Sequence, residues 1–359
     1  MSKRIVIVGG GNLGSELARS LETEAEVTLI EQAERYVHAP AMIRAVVDPK
    51  ILDKALIPYE NLLSRGKFVR GQVTEVDASG VTLADGSRVD ADYIVLATGS
   101  SNSLPFKPTS GDVEALKRAN HEVHEKLLDA KTIAIVGGGA VGIELAGELA
   151  HAMPEKEIVL VSDKATLMPG KPANLGRSLE AKLKSAGVEI IFGARGENLE
   201  NSSEPYAGTV RLTNGRVITA DLIFPVIGSR ANSALLTTLP DVEVTSNGRV
   251  ASDGWMRPSS LENVFAAGDV ADNGDAMTIV AVSRQVPWLT KTLKALLSGK
   301  PLKDIKPYVP WKSAPILLPL GPVKGNSFLV LFTAGNWITR KIKGTDLFLT
   351  KYNKAFGRK

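Results

Sequence analysis

A glycine-rich turn that occurs twice constrains this chain more than any other feature. The first copy is Arg4-Ile-Val-Ile-Val-Gly9-Gly-Gly11-Asn12-Leu13-Gly14, followed by Ser15-Glu-Leu-Ala-Arg-Ser-Leu-Glu22. A β-branched run that stops at glycines and passes into helix-period apolar residues predicts a buried parallel strand turning into a helix. The glycines serve different ends. Gly9 makes the tight turn, Gly11 lets the backbone approach a pyrophosphate, and Gly14 lets the helix pack close to the strand. The helix start offers free N–H groups and a positive dipole end to phosphate oxygens. Glu26-Val-Thr-Leu-Ile-Glu31 then predicts a second strand with an acid at its tip, where an acid can bind a ribose 2′-hydroxyl.

The second copy is Thr132-Ile-Ala-Ile-Val-Gly137-Gly-Gly139-Ala140-Val141-Gly142-Ile-Glu144-Leu-Ala-Gly-Glu148, followed by Glu157-Ile-Val-Leu-Val-Ser162-Asp163. One such unit holds one dinucleotide, so two copies predict two nucleotide-binding domains. The acid is less cleanly placed here: Ser162 stands at the expected strand tip, with Asp163 and Lys164 after it. An acid favours NADH, whereas a small polar residue beside a lysine accepts the 2′-phosphate of NADPH, and the sequence leaves that choice open. A third stretch, Glu262-Asn-Val-Phe265-Ala-Ala-Gly268-Asp269, predicts a strand whose terminal acid faces a ligand crevice. Its late position implies that the first domain is completed after the second has been inserted.

A chain of 359 residues suits two or three domains, and 44% hydrophobic residues permit a large core without staples. The absence of cysteine excludes a disulfide framework, a thiolate metal site and a CxxC redox pair. Any electrons must therefore pass without a cysteine relay. His38, His121, His124 and His151 have no spacing that supports a metal site, and none is expected. The formal charge of +4 is uneven: residues 300–359 carry ten Lys and two Arg against Asp304 and Asp346, which is +10 and leaves −6 for the rest. A solvated basic face, a membrane surface and an anionic partner all remain open for that segment, whereas nucleic acid is not an expected partner. Met-Ser-Lys-Arg runs straight into a strand, and Ser2 stands where N-myristoylation needs glycine. The expectation is a cytoplasmic protein, with peripheral membrane contact left open.

Two further segments complete a pattern: Asp92-Tyr-Ile-Val-Leu-Ala97-Thr98-Gly99 and Asp221-Leu-Ile-Phe-Pro-Val-Ile-Gly228-Ser-Arg-Ala-Asn232. Together with the glycine turns and the late Gly-Asp, they resemble the two-dinucleotide-binding-domain flavoproteins over residues 4–275. Within that superfamily the chain is most similar to the apoptosis-inducing-factor-2 and ferroptosis-suppressor group, related to type II NADH dehydrogenases. The similarity rests on Tyr36-Val-His38-Ala-Pro-Ala-Met-Ile-Arg44-Ala, on the continuation through Glu144 to Glu148, on the dispensable cysteine, and on Lys343-Gly-Thr-Asp346-Leu-Phe348.

The resemblance implies an α/β fold with two Rossmann-like domains, the second inserted in the first, plus a small α+β C-terminal module. The expected boundaries are an FAD-binding domain over 1–106 and 230–299, an NAD(P)H-binding domain over 107–229, and a module over 300–359. It implies FAD held by Gly9, Gly11, Asn12, Leu13, Gly14, Glu31, Gln32, Arg44, Val73, Ala97, Thr98, Gly99, Gly268 and Asp269. NADH or NADPH is expected on Gly137, Gly139, Ala140, Val141, Gly142, Ser162, Asp163 and Gly228. The implied activity carries hydride from NAD(P)H to FAD and two electrons on to a quinone. Glu144 is expected to face the nicotinamide–flavin junction, Lys343 to lie near the flavin, and Phe348 to line a quinone passage. A ferredoxin or rubredoxin reductase and an NADH-sensing flavoprotein are the alternatives, and a homodimer is left open. Pro287 is expected to bend or restart the helix after Gly-Asp.

Overall fold

The computed structural model describes residues 2–108 and 110–358. The first glycine turn sits at the centre of a five-stranded parallel sheet in the order Val264–Ala266, Tyr93–Leu96, Arg4–Val8, Glu26–Glu31, Lys67–Arg70. Arg4–Val8 is buried from its second residue onward, which suits a strand covered on both faces. Gly9 adopts φ +106°, and a Cβ there would fall 2.3 Å from the Ala97 carbonyl oxygen, so no other residue makes this turn. The helix Asn12–Leu21 then buries Leu13, Leu17, Ala18 and Leu21. Leu17 and Leu21, fully enclosed, each contribute about 2 kcal/mol.

The second unit repeats the construction within a six-stranded sheet. Val188–Ile191, Glu157–Val161, Thr132–Val136 and Val217–Pro225 run parallel, and Tyr206–Leu212 and Gly196–Glu197 continue antiparallel. This unit enters between strands Tyr93–Leu96 and Val264–Ala266 of the first sheet. At the two crossings, Ser100–Ser101 pairs antiparallel with Arg230–Ala231, while Thr98 Oγ1 donates to the Asn232 carbonyl and Asn232 Nδ2 to the Thr98 carbonyl.

The C-terminal segment bridges both units. Its hairpin, Ile316–Leu320 with Lys324–Phe328, lies on the helix Ala140–Ala152 of the inserted unit. A Cβ at Gly147 would come within 2.5 Å of Leu320 Cα, so glycine is what allows the hairpin this close. Lys182 Nζ donates to the Gly325 carbonyl at 2.7 Å, tying the hairpin to the inserted unit. The last helix, Leu349–Ala355, instead meets the first unit, where Tyr352 stacks on Tyr36 at 5.7 Å and Phe356 packs against Tyr36 and Tyr59. The helix Ile279–Leu297 runs on through Pro287 without restarting. Pro287 and Ser283, whose carbonyl loses its partner, both face solvent, where water satisfies the orphaned acceptor.

Candidate functional site

One cavity of about 540 Å³ opens at the C-terminal edge of the first sheet. Among the expected cofactor residues, Gly9, Gly11, Asn12, Leu13, Glu31, Gln32, Val73, Ala97, Thr98, Gly99, Gly268 and Asp269 line it. Val141, Glu144 and Lys343 line it too, so the inserted unit and the C-terminal segment both reach the space framed by the first glycine turn. Gly14 and Gly142 lie under their turns, against the Gly9 and Gly137 carbonyl oxygens. Gly137, Gly139, Ala140, Ser162, Asp163 and Gly228 lie outside this cavity, along the second unit's own turn and crossing.

The acids are held by the local fold. Glu31 Oε2 accepts from the Gly10 N–H at 2.6 Å and Oε1 from the Ala33 N–H at 2.9 Å, which fixes the carboxylate at the strand tip. Asp269 Oδ2 accepts from Ser100 Oγ at 2.6 Å and Lys107 Nζ at 3.3 Å, joining the late Gly-Asp to the first crossing. The Gly268 N–H donates to Gln285 Oε1, and Gln285 Nε2 to the buried Asp275, which also takes the Tyr308 hydroxyl and the Trp311 N–H. Lys107, Gln285 and Asp275 carry no motif, and nothing in sequence spacing announces them.

The helix Ala140–Ala152 is buried on every side from Gly142 to Ala150, so its two acids need charged partners. Lys343 Nζ donates to both Glu144 oxygens at 2.7 and 2.9 Å and to the Leu317 carbonyl at 3.2 Å. Burial pushes the Glu144 carboxyl above its ordinary range, and Lys343 offsets part of that rise. Arg44 grips Glu148 with Nε and Nη2 at 2.8–3.1 Å and turns Nη2 to the Gly344 carbonyl at 2.7 Å. Arg44 is therefore committed to an ion pair joining three segments and does not line the cavity. The π-helical turn Arg340–Gly344 places Lys343 and the Gly344 carbonyl side by side for these two pairs.

His38 is fully buried behind the cavity wall. Its Nε2 faces the Leu347 carbonyl at 2.7 Å, so that nitrogen carries the proton, and Nδ1 lies 3.2 Å from the Tyr36 hydroxyl. Desolvation lowers its pKa to about 4. The unfolded chain therefore binds a proton below about pH 6.5 that the folded chain refuses until about pH 4. Stability is intact above pH 6.5 and falls as pH drops through that window, by up to about 3 kcal/mol. In His38→Asn, whose amide still donates but does not titrate, urea midpoints measured from pH 7 to 4.5 should lose this part of their acid slope. Phe348, expected at a passage, packs instead against the core of the first unit and does not line the cavity. Among the described residues no group of His, Asp and Glu is placed to hold a metal ion.

Family comparison fits this geometry. The sequence model of the pyridine nucleotide-disulphide oxidoreductases matches residues 60–285. The chain belongs to this family. Apoptosis-inducing factor homolog A of Dictyostelium discoideum is 30% identical over 99% of this chain and 92% of its own length. Ferroptosis suppressor protein 1 of Taeniopygia guttata is 26% identical over 99% of this chain and 96% of its own. The sulfide:quinone oxidoreductase of Aquifex aeolicus shares the fold with a TM-score of 0.77 at 16% identity, over 98% of this chain and 90% of that one. NDH2 of Plasmodium falciparum, solved in complex with NADH, does so with 0.75 at 13%, over 100% and 99%.

FAD and a pyridine nucleotide are the cofactors of this oxidoreductase family. The cysteine-free chain lacks the disulphide in the family's name. The cavity suits FAD: the space a Cβ would fill at Gly11 is empty, leaving backbone N–H groups at a helix start open to phosphate. At the second turn the space above Gly139 is equally empty.

Proposed function

We propose that this oxidoreductase is an NAD(P)H:quinone reductase. The observation that carries the reading is the cavity walled by both nucleotide-binding units, with Glu144 and Lys343 where they meet. The turn at Gly9, Gly11, Asn12 and Leu13, backed by Gly14, would hold FAD together with Glu31, Gln32, Val73, Ala97, Thr98, Gly99, Gly268 and Asp269. Gly137, Gly139, Ala140, Val141, Gly142, Ser162, Asp163 and Gly228 would hold the pyridine nucleotide. When bound, FAD supplies a two-electron relay between nucleotide and acceptor.

The chain's own groups supply position and electrostatics. Glu144 orients the reducing nucleotide from the inserted helix, and Lys343 fixes that carboxylate while placing an ammonium in the cavity wall. The helix Ile279–Leu297, capped by Thr278, begins at the cavity and turns its positive end there. Pro40, Ile43, Val141, Met277, Ile279 and Val282 make part of the wall apolar, which favours a neutral, planar acceptor there. Arg44 acts at one remove, by holding Glu148 on the same helix. With no cysteine in the chain, no thiol step intervenes.

Anaerobic stopped-flow mixing tests the reading. NADPH or NADH should bleach the yellow protein rapidly, and a short-chain ubiquinone should restore the colour with little dependence on salt. A bleached protein that quinone leaves bleached rules the reading out. A restoring rate that falls steeply with salt moves the acceptor to an acidic redox protein.

A membrane surface suits the C-terminal segment. Among the described residues, six of the eleven exposed large hydrophobics lie within 323–342, including Leu331 at 91%, Trp337 at 71% and Phe332 at 52% exposed. Val330, β-branched at φ +70°, turns the tip of this loop outward, and Lys341 lies 5.3 Å over the Trp337 ring. Apolar tips within a +10 segment fit an anionic bilayer, and no helix among the described residues is long and apolar enough to cross one. Leu331→Ser with Phe332→Ser should lower co-sedimentation with phosphatidylglycerol vesicles about tenfold. Binding unchanged by the pair would remove this surface from the proposal.

A further inference from the structure

The two nucleotide-binding units can be superposed by their own hydrogen bonds. In the first, the Gly9 N–H donates to the Ile30 carbonyl at 2.8 Å; in the second, the Gly137 N–H donates to the Val161 carbonyl at 3.0 Å. The next residue along is Glu31 in one and Ser162 in the other. Their carbonyls accept from Gly71 and Ala194 respectively, at 2.9 and 3.1 Å. A Cβ added at Gly10 would lie 3.0 Å from Glu31 Cβ, and one added at Gly138 would lie 2.5 Å from Ser162 Cβ. Ser162 therefore occupies the acid's place, at the strand tip where the sequence put it.

The same register carries further. Asp163 takes the place of Gln32 and Lys164 that of Ala33. Arg195 takes the place of Gln72, since the Gln72 carbonyl accepts from Ala84 and the Arg195 carbonyl from Thr213 in the matching loop. Gln32, Ala33 and Gln72 all line the first site. At these four matched positions the first unit presents one acid and no base, whereas the second presents a buried serine, one acid and two bases, a local charge of +1 in place of −1. Asp163 already engages Lys164 at 2.9 Å, but both side chains are more than half exposed, so the pair contributes little and the lysine is free to turn.

We propose that the second site is built for NADPH, with Ser162, Lys164 and Arg195 receiving the 2′-phosphate of the adenosine ribose. An acid at the strand tip accepts hydrogen bonds from the ribose diol and repels a phosphate there; a hydroxyl flanked by a lysine and an arginine does the reverse. This assignment rests on the pyridine-nucleotide reading of the second turn.

Equilibrium titration of the FAD-loaded protein with NADP⁺ and NAD⁺, followed by calorimetry without turnover, tests it. NADP⁺ should bind at least about tenfold tighter, and 2′,5′-ADP should compete where 5′-AMP does not. Lys164→Ala with Arg195→Ala, both on the surface, should weaken NADP⁺ about tenfold or more and leave NAD⁺ unchanged. Ser162→Glu should reverse the preference, and the surface pair keeps the test valid if this buried change misfolds. Equal or tighter binding of NAD⁺ by the unaltered protein overturns the assignment while leaving the nucleotide site standing. Binding of neither nucleotide overturns the assignment together with the reading beneath it.

Discussion

Lys343→Met is expected to slow NAD(P)H-dependent quinone reduction about a hundredfold with FAD still bound. The ammonium is nearly buried, shares a cavity wall with Glu144, and is held by three acceptors at 2.7–3.2 Å. A cation fixed in a low-dielectric wall acts on charge arriving in the cavity far more strongly than one in water, and it needs no reorganisation to do so. Methionine keeps the length and removes the charge. It also strands Glu144 in an apolar helix, so the variant should lose stability and carry a Glu144 carboxyl that is protonated more readily. Adding Glu144→Gln removes the stranded charge: the double variant should regain stability and stay slow, since it lacks both groups. Single-turnover kinetics together with urea unfolding reads both. A Lys343→Met protein that turns over at the unaltered rate would reduce the pair to a structural clamp.

Arg44→Met should cost about 3–5 kcal/mol of stability, the largest effect expected from any single change here. The guanidinium makes a forked contact with Glu148, and the two side chains are 10% and 4% exposed. Removing the base leaves a carboxylate with no water to solvate it, along with the Gly344 carbonyl it also served. Glu148→Leu on the same background removes the stranded charge and should recover most of the loss, because an apolar pair of similar size replaces a buried ion pair at little net cost. Denaturant midpoints for the four proteins of the cycle give the coupling directly. If Arg44→Met stays within about 1 kcal/mol of the parent, the pair is solvated in solution and the three segments are held by other contacts.

The two nucleotide folds were legible in the sequence because their signals are local. Gly9 and Gly137 sit where a side chain would strike a backbone oxygen, and Glu31 closes a strand whose Val-Thr-Leu-Ile run is plain in the sequence. The inserted order could be inferred from the late Gly268-Asp269 pair, since a strand terminus needs a sheet to belong to. Arg44 shows where such reading stops. Its place in a loop motif suggested a cofactor contact, but the partner that claims it is 104 residues away on another unit. The resemblance pointed to Lys343 near the flavin but not to its partner, and only packing reveals the Glu144 carboxylate awaiting it across 199 residues. Pro287 does not restart the helix, because it and the residue whose carbonyl it orphans both lie on the solvent face. Ser162 at the second strand tip was legible too, but the match of Arg195 to Gln72 needed the hydrogen bonds of two separate loops to show it.

The insertion has a consequence for how the protein is made. The strand Tyr93–Leu96 must wait for Val264–Ala266 before the first sheet has its edge, whereas every strand of the inserted sheet lies between residues 132 and 225. At ordinary ribosomal speeds that wait is roughly ten to thirty seconds. During synthesis the visiting unit can close on itself while its host, begun earlier, stands open with the apolar Tyr93–Leu96 edge unpaired. Host closure completes a ladder between segments some 170 residues apart, the kind of long-range pairing that limits folding rate. The nascent chain is thus most exposed to aggregation, and most in need of a chaperone, after its second half-site has folded and before its first one can.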